Sequence, residues 1–232
     1  MKHVYFWLAM LALPATAWAQ SAPLLPPDSV AVQLHFGSDN PELHQLMSHV
    51  MHVEKLHLTA HHPRLAGHRF HLTYQEYRQG VPGPEQELLR DGGQLTSFDT
   101  QGRFGFDVFA RQTPGNALEN QFFFAGGSTK KTFQPVPGRA DQYSLRADIW
   151  PYKPLQQALA PGQQPTETHT FPVRQKLPFL VYTLPYEEDG MLLYCSLAQS
   201  KTPVEQWFKT YKIPHFVVYR LVVEPGTASG TR

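Results

Sequence analysis

Residues 103–136 read RFGFDVFARQTPGNALENQFFFAGGSTKKTFQPV. Three short segments rich in aromatic and β-branched residues lie in this stretch, at 103–110, 120–125 and 131–136. Pro114-Gly115-Asn116 and Gly126-Gly127 separate these segments, and such residues are typical of turns. Apolar residues alternate with other residues along the first segment, which is the period of a half-buried strand. The stretch therefore predicts successive strands joined by turns.

The same strand pattern continues on both sides of this stretch. Apolar side chains alternate within 30–36, 56–60 and 70–74, and further candidate strands cover 94–99, 142–150, 177–184, 191–198 and 216–224. About ten strands without long helices between them predict an all-β fold, mostly an antiparallel β-sandwich. We expect a single β-sandwich-like domain over residues 30–224, with the very apolar segment 216–224 at the centre of its sheet.

Two segments carry helix signals instead. Asn40 followed by Pro41 predicts a helix start, and apolar residues then recur at helical spacing: Leu43, Leu46, Met47 and Val50. Thr202 and Glu205 have the spacing of a capping box and introduce a second apolar stripe: Val204, Trp207, Phe208 and Tyr211. Both predicted helices are short, and residues 151–168 are expected to form a long surface loop.

The first residues carry the features of an export signal. Lys2 precedes an apolar run at 4–13, and Ala17-Trp18-Ala19 forms an A-x-A cleavage site. The run is too short to cross about 30 Å of hydrocarbon, which argues against a membrane anchor. We predict a signal peptide over 1–19, a Pro-rich lead over 20–29, a disordered tail over 225–232 and a periplasmic or secreted location.

Composition excludes several classes of protein. The 232 residues include 20 Lys and Arg against 19 Asp and Glu, a formal net charge of +1, and a single Cys. One cysteine excludes an intramolecular disulfide and any metal site that needs several thiolates. The near-neutral charge lacks the basic footprint of a nucleic-acid-binding protein, and no apolar run reaches the roughly 18 residues of a membrane span.

Histidine is the most unusual component of the chain. Of 12 histidines, most lie between His35 and His71. A hairpin of 56–61 with 67–74 would place His57 opposite His71, with His61 near the turn, and imidazoles about 5 Å apart can share a Zn or Cu ion. We therefore give His57, His61 and His71 as a candidate metal site. The alternatives are that these histidines fill the polar faces of strands and helices, or form a pH-responsive surface.

Aromatic rings offer a second kind of site. Phe122-Phe123-Phe124 must place at least one ring on the face opposite the other two, because successive side chains of a strand alternate. Trp150 and Tyr152 lie near the end of a predicted strand. We give Trp150, Tyr152 and Phe123 as a candidate surface for a carbohydrate or another exported protein. The alternative is that these rings belong to the core.

Two blocks of the chain resemble a known family. The first, within 55–80, carries Leu65-Ala66-Gly67 before a strand that ends Glu76-Tyr77-Arg78-Gln79-Gly80. The second comprises the C-terminal runs Leu184-Pro185-Tyr186, Leu193-Tyr194-Cys195 and Lys212-Ile213-Pro214-His215-Phe216. Together they resemble exported Bacteroidota proteins of the DUF5041 type of domain of unknown function. The resemblance implies an exported β-rich fold and carries no functional residues.

The motifs of named enzyme classes are missing from the sequence. No G-x-S-x-G elbow or phosphate-binding loop is present, although the carboxylates of a hydrolase can lie far apart in a sequence. We therefore predict a non-catalytic binding or structural module. A metal-binding or metal-dependent protein that uses the histidine-rich hairpin is the alternative.

Overall fold

The computed structural model describes residues 29–89, 96–147, 167–172, 174–194 and 202–224. Within these ranges two six-stranded antiparallel sheets pack face to face around one hydrophobic core. This architecture confirms the predicted all-β fold, mostly antiparallel and sandwich-like, with two short helices. The predicted signal peptide, the Pro-rich lead up to residue 28 and the predicted tail lie outside the described residues.

The first sheet contains β1 (Ser29–Phe36), β2 (Val53–His61), β6 (Arg103–Gln112), β7 (Leu118–Phe124), β8 (Gly127–Phe133) and β10 (Glu167–Pro172). Their order across the sheet is β10-β1-β2-β6-β7-β8. The turn between β7 and β8 falls at Ala125 and Gly126, close to the predicted Gly-Gly position.

The second sheet contains β3 (Arg69–Arg78), β4 (Val81–Pro82), β5 (Gln86–Glu87), β9 (Ser144–Arg146), β11 (Leu177–Thr183) and β14 (His215–Glu224). The order is β4-β3-β14-β11-β9, and β5 also pairs with β3. The apolar strand β14 is central, as predicted. β12 (Tyr186–Glu188) and β13 (Met191–Leu193) form a separate hairpin, whose turn residues Asp189 and Gly190 both have positive φ.

The first helical segment starts where the sequence predicts. The side chain of Asn40 accepts hydrogen bonds from the backbone N–H groups of Glu42 and Leu43 at 3.0 and 3.1 Å, and α1 (Pro41–Gln45) follows. The chain then widens into a π-helical turn at Leu46–Val50. No helix of the described ranges is long and apolar enough to cross a membrane.

The second helical segment is capped differently from the prediction. A 3-10 turn at Val204–Gln206 leads into α2 (Trp207–Tyr211), without a side-chain cap. The predicted capping box is therefore wrong. The Glu205 carboxylate turns to the sheet instead, where it accepts from the Tyr77 hydroxyl at 3.4 Å and lies 3.8 Å from Arg220.

Aromatic rings fill the space between the two sheets. The ring centroids of Phe122 and Tyr219, which come from opposite sheets, lie 5.0 Å apart. Asn120 Nδ2 donates to Tyr219 Oη at 2.7 Å, and both side chains are completely buried. This hydrogen bond joins β7 to β14 at a depth that water does not reach.

The predicted hairpin between the second and third strands is wrong. β2 pairs with β1 and β6, whereas β3 pairs with β14, β4 and β5 in the other sheet. A short 3-10 turn at Pro63–Leu65 carries the chain from one sheet to the other. Gly102 packs against this crossing, and a Cβ atom there would lie 2.0 Å from the carbonyl oxygen of His62. Leu58 and Phe70 therefore enter the core from opposite sheets.

Three strand boundaries also differ from the prediction. Of the predicted strand 94–99, only residues 96–99 are described, and among them Ser97 forms an isolated bridge to Arg69 while Phe98 is buried against Phe104. β8 begins at Gly127 rather than at residue 131. β10 includes residues 167 and 168, which were expected to lie in a surface loop.

Candidate functional site

A cleft opens at the end of the sandwich where β2 begins and β6 ends. α1 and the π-helical turn line one side, and β9 with a 3-10 turn at Ala140–Gln142 lines the other. The cleft encloses about 780 Å³, which is within the usual range of small-ligand sites, roughly 300–1,000 Å³. Its walls combine apolar, aromatic and titratable residues: Phe36, His44, Met47, Met51, His52, Val53, Glu54, Asp141, Tyr143, Leu145, Arg146 and Tyr182.

Glu54 places a carboxyl group on the wall of the cleft. It lies on the inward face of β2, the same face as the buried Leu56. Its Oε1 accepts from the Ser144 hydroxyl and its Oε2 from the Leu145 backbone N–H, each at 2.5 Å. Burial raises the pKa of the Glu54 carboxyl, although both hydrogen bonds and the charge of Arg146 act in the opposite direction. The two bonds tie the first sheet to β9, an edge strand of the second.

Two tyrosines form an aromatic wall. The backbone N–H of Val136 donates to Tyr143 Oη at 3.2 Å, and Tyr143 Oη forms a second hydrogen bond with Nδ1 of His215 at 2.5 Å. Nε2 of His215 then donates to the Glu76 carboxylate at 2.9 Å. Burial raises the pKa of Tyr143 to about 12 and also raises the pKa of Tyr182. Both phenols are therefore neutral at physiological pH.

The apolar side chains beside the cleft are mostly exposed. Leu43, Leu46, Val50 and Met51 are between 45% and 68% exposed, and Met47 alone is buried, at 8%. An apolar stripe on a helix normally faces the core. Here most of the predicted stripe faces solvent, which is typical of a surface that contacts a ligand or partner, and of these apolar side chains only Met47 and Met51 line the cleft.

Charged side chains near the cleft have partners of their own. The Lys55 ammonium lies 3.2 Å from the Asp107 carboxylate on the outer face of the first sheet. The Arg146 guanidinium lies 4.4 Å from the ring centroid of Tyr194. With the Glu54 carboxyl hydrogen-bonded as described, the lining left for a ligand is apolar, aromatic and imidazole, together with the exposed carboxylate of Asp141.

The structure does not bring the predicted metal ligands together. His57 lies on the first sheet, with Nδ1 at 3.0 Å from Asp107, whereas His71 lies on the second, with Nε2 at 3.2 Å from Glu224. His61 is exposed at the end of β2. The described ranges contain no group of three or more His, Cys, Asp or Glu residues that could hold a metal ion. The shared hairpin on which the site depended is not formed.

Phe123 is exposed, as the alternation of the Phe triple predicts for one of its rings. It is 40% exposed on the outer face of the first sheet, while Phe122 and Phe124 are buried. Phe109 meets it edge to face at 5.5 Å. Strand pairing sets His57, Asp107 and Phe123 in one row on this outer face. The other two predicted ligand-surface residues, Trp150 and Tyr152, lie outside the described residues.

Comparison with family models, curated proteins and solved structures finds no match for this chain. The function therefore has to be argued from the geometry of the cleft and of the outer face. The resemblance to exported Bacteroidota proteins stays a prediction.

Sequence reasoning missed the cleft, although two signals for it were present. Glu54 falls on the same face of β2 as Leu56 and Leu58, and an acid within an apolar alternation marks a buried carboxyl. The second signal is the cluster of histidine and methionine at 44–52, whose histidines belong to the histidine-rich segment 35–71 and whose Met47 belongs to the predicted helical stripe. Neither signal identifies the opposite wall, because β9 lies about ninety residues further along the chain.

Proposed function

We propose that this chain is an exported, non-catalytic binding protein that takes a small ligand with an apolar body in the cleft. The observation that carries the proposal is a concave site of about 780 Å³ lined by Phe36, Met47, Met51 and Tyr182, next to a helical segment whose Leu43, Leu46 and Val50 are exposed. Burying such surface against a ligand contributes roughly 25 cal/mol per Å². A ligand that fills the cleft and also reaches the exposed apolar side chains of the helical segment would gain binding energy from both surfaces.

Glu54 and Tyr143, two titratable groups of the cleft wall, serve the structure of the cleft rather than proton transfer. A general acid or base needs a free group whose pKa is near the working pH. Both oxygens of Glu54 accept hydrogen bonds from β9, and the Tyr143 hydroxyl is held between Val136 and His215. These groups hold the walls in place, so their shifted pKa values follow from structural burial.

Fluorescence of 1-anilinonaphthalene-8-sulfonate tests the proposal, since this apolar probe brightens when it leaves water. We expect saturable binding to the folded protein. Ala140→Trp fills the cleft from its 3-10 turn and should abolish that binding. Ala66→Trp, at an exposed position near the sheet crossing, is the matched control and should not change it. Equal binding by both variants, or no binding by the unmodified protein, would contradict the assignment.

A second candidate function rests on the outer face of the first sheet. Phe123 presents an exposed ring beside the polar pair His57–Asp107, and a sugar ring binds such a surface through its C–H groups and its hydroxyls. A glycan array with Phe123→Ala tests this candidate, and Val81→Ala, at another exposed apolar position, is the control. Retention of every glycan signal by Phe123→Ala would remove it.

A further inference from the structure

Four side chains with soft or borderline donor atoms lie on one side of the cleft. His44, Met47, Met51 and His52 fall within nine residues, and all four line the cleft. Their residue numbers differ by three, four and one, so they occupy successive turns of the helical segment and the residues that connect it to β2. This set differs from the candidate site built on His57, His61 and His71, because none of those residues lines this cleft.

The two imidazoles of the cleft have no partner among the described residues. His35, His57, His71 and His215 each lie within 3.2 Å of a carboxylate oxygen. No hydrogen bond or ion pair joins the side chain of His44 or His52 to another residue of the described ranges. His52 is exposed, whereas His44 Nδ1, like His68 Nδ1, is buried without a hydrogen-bond partner, and it packs against Gly37. A buried polar atom without a partner costs about 1–3 kcal/mol, so an unsatisfied imidazole calls for a ligand.

The backbone of the segment that carries these side chains is irregular. The π-helical turn at Leu46–Val50 contains Met47, and its last N–H, that of Met51, bonds to the Leu46 carbonyl at 2.9 Å. His52 has a φ of 51°, in the left-handed region that non-glycine residues rarely adopt. Both irregularities are less stable than a continuous helix, and both occur frequently at functional sites. Here they direct the chain from the helical segment into β2.

We propose that the cleft binds a soft monovalent metal ion of the Cu(I) class through the thioethers of Met47 and Met51 and the imidazoles of His44 and His52. This inference rests on the proposed use of the cleft as the binding site and names its ligand. Thioether sulfur selects Cu(I) over harder divalent ions, and imidazole accepts it as well. As ligands, thioether and imidazole groups carry no charge, so a monovalent ion adds only one unit of charge to a cleft whose lining already includes Glu54, Asp141 and Arg146.

Silver(I) is a suitable probe, because it shares the ligand preference of Cu(I) and needs no reductant. The single cysteine is replaced in all samples by Cys195→Ser, so that a thiolate does not compete for the ion. Met1 and Met10 fall in the predicted signal peptide, so the exported chain labelled with ε-¹³C-methionine gives three ε-methyl signals, from Met47, Met51 and Met191, which single Met→Leu substitutions assign. Met191 is 58% exposed on the β12–β13 hairpin, does not line the cleft and serves as an internal control.

We expect one equivalent of Ag(I) to shift the methyl signals of Met47 and Met51 and to leave that of Met191 unchanged. The double variant Met47→Leu/Met51→Leu should weaken Ag(I) binding at least tenfold, whereas Met191→Leu should not change it. Equal shifts at Met51 and Met191 would mean that exposed thioethers bind silver adventitiously, which overturns the proposal. Binding of Zn²⁺ in preference to Ag(I), without a methionine shift, would overturn it as well.

The apolar probe separates failure of this inference from failure of the proposed function. If 1-anilinonaphthalene-8-sulfonate binds the cleft but Ag(I) shifts neither Met47 nor Met51, the cleft is a ligand site without a soft metal. If neither binds, both proposals fail. If Ag(I) binds and Ala140→Trp abolishes probe binding, the metal and the apolar ligand share one cleft.

Discussion

Replacing Glu54 tests whether the carboxyl on the cleft wall holds the two sheets together. Glu54→Ala removes the acceptor for the Ser144 hydroxyl and for the Leu145 backbone N–H. Leaving a buried donor without an acceptor costs about 1–3 kcal/mol. The serine hydroxyl can rotate toward the cleft, whereas the N–H of the buried Leu145 cannot, so we expect a total loss of about 2–4 kcal/mol. That is a large part of the roughly 5–15 kcal/mol of a typical domain.

The conservative variant Glu54→Gln separates hydrogen bonding from charge. Its amide oxygen can accept from the Leu145 N–H while its NH₂ group donates to the Ser144 oxygen, so we expect a much smaller loss than for alanine. Burial raises the pKa of the carboxyl in the folded state above its unfolded value of 4.5. The stability that Glu54 contributes is then fully present below the unfolded pKa and is lost as pH rises through the folded pKa. The advantage of Glu54 over Gln should therefore shrink as pH rises.

Urea unfolding followed by tryptophan fluorescence measures both effects, because Trp207 is buried in the folded protein. The unmodified protein, both Glu54 variants and the control Glu188→Ala, at an exposed hairpin position, are compared at pH 4.5 and pH 7.5. A loss for Glu54→Ala no larger than the roughly 0.5 kcal/mol typical of surface substitutions would refute the structural role. A difference between Glu54 and Gln that does not change with pH would refute the burial argument.

Three further predictions concern the fold around the site. Gly102→Ala should lower the free energy of unfolding by several kcal/mol, because the new Cβ would lie 2.0 Å from a backbone carbonyl oxygen. Gly138 has a similar positive φ but open space around it, so Gly138→Ala should cost only about 1–2 kcal/mol. Equal losses for the two variants would argue against the packed crossing. Tyr219→Phe leaves the Asn120 amide without an acceptor and should cost about 1–3 kcal/mol in urea unfolding, while Asn120→Leu combined with Tyr219→Phe should cost less than the sum of the single losses. A hydrogen bond from the His215 N–H lowers the pKa of the Glu76 carboxyl. The stability that Glu76 contributes is therefore present above the unfolded pKa of 4.5 and is lost as pH falls through the folded pKa. Glu76→Gln should flatten the dependence of the unfolding free energy on pH below 4.5, and an unchanged slope would contradict this.

The strands were predictable wherever one face of the strand is apolar. β2, β3, β6 and β14 all alternate or run apolar, and each lies within a few residues of its predicted position. β8 was placed too late because it is a polar edge strand, in which lysines replace the apolar alternation. Lysine on an edge strand prevents pairing with other chains, so the residues that protect the edge also hide the strand from a search for periodicity.

Pairing between strands could not be predicted from the same alternation. The link between β2 and β3 is short enough for a hairpin, and both strands carry their apolar residues at every second position. A hairpin would bury Leu58 beside Phe70 in one sheet, whereas the crossing buries them from opposite sheets in the same core. Both arrangements satisfy the pattern. The choice depends on β1 and β6, which occupy both edges of β2, and on Gly102, which leaves room for the crossing.

The candidate site was visible in the sequence only as departures from the fold's own pattern. Glu54 interrupts an apolar face, and the stripe that begins at Leu43 stays exposed instead of entering the core. An acid on a buried face and an apolar surface in water each destabilise the folded chain. Within the described residues, no contact offsets the cost of the exposed apolar surface. The hydrogen bonds to β9 account for Glu54, whereas a ligand in the cleft, as proposed, would give His44 Nδ1 the partner that it lacks among the described residues. The cleft is therefore the first place to look for the function of this protein.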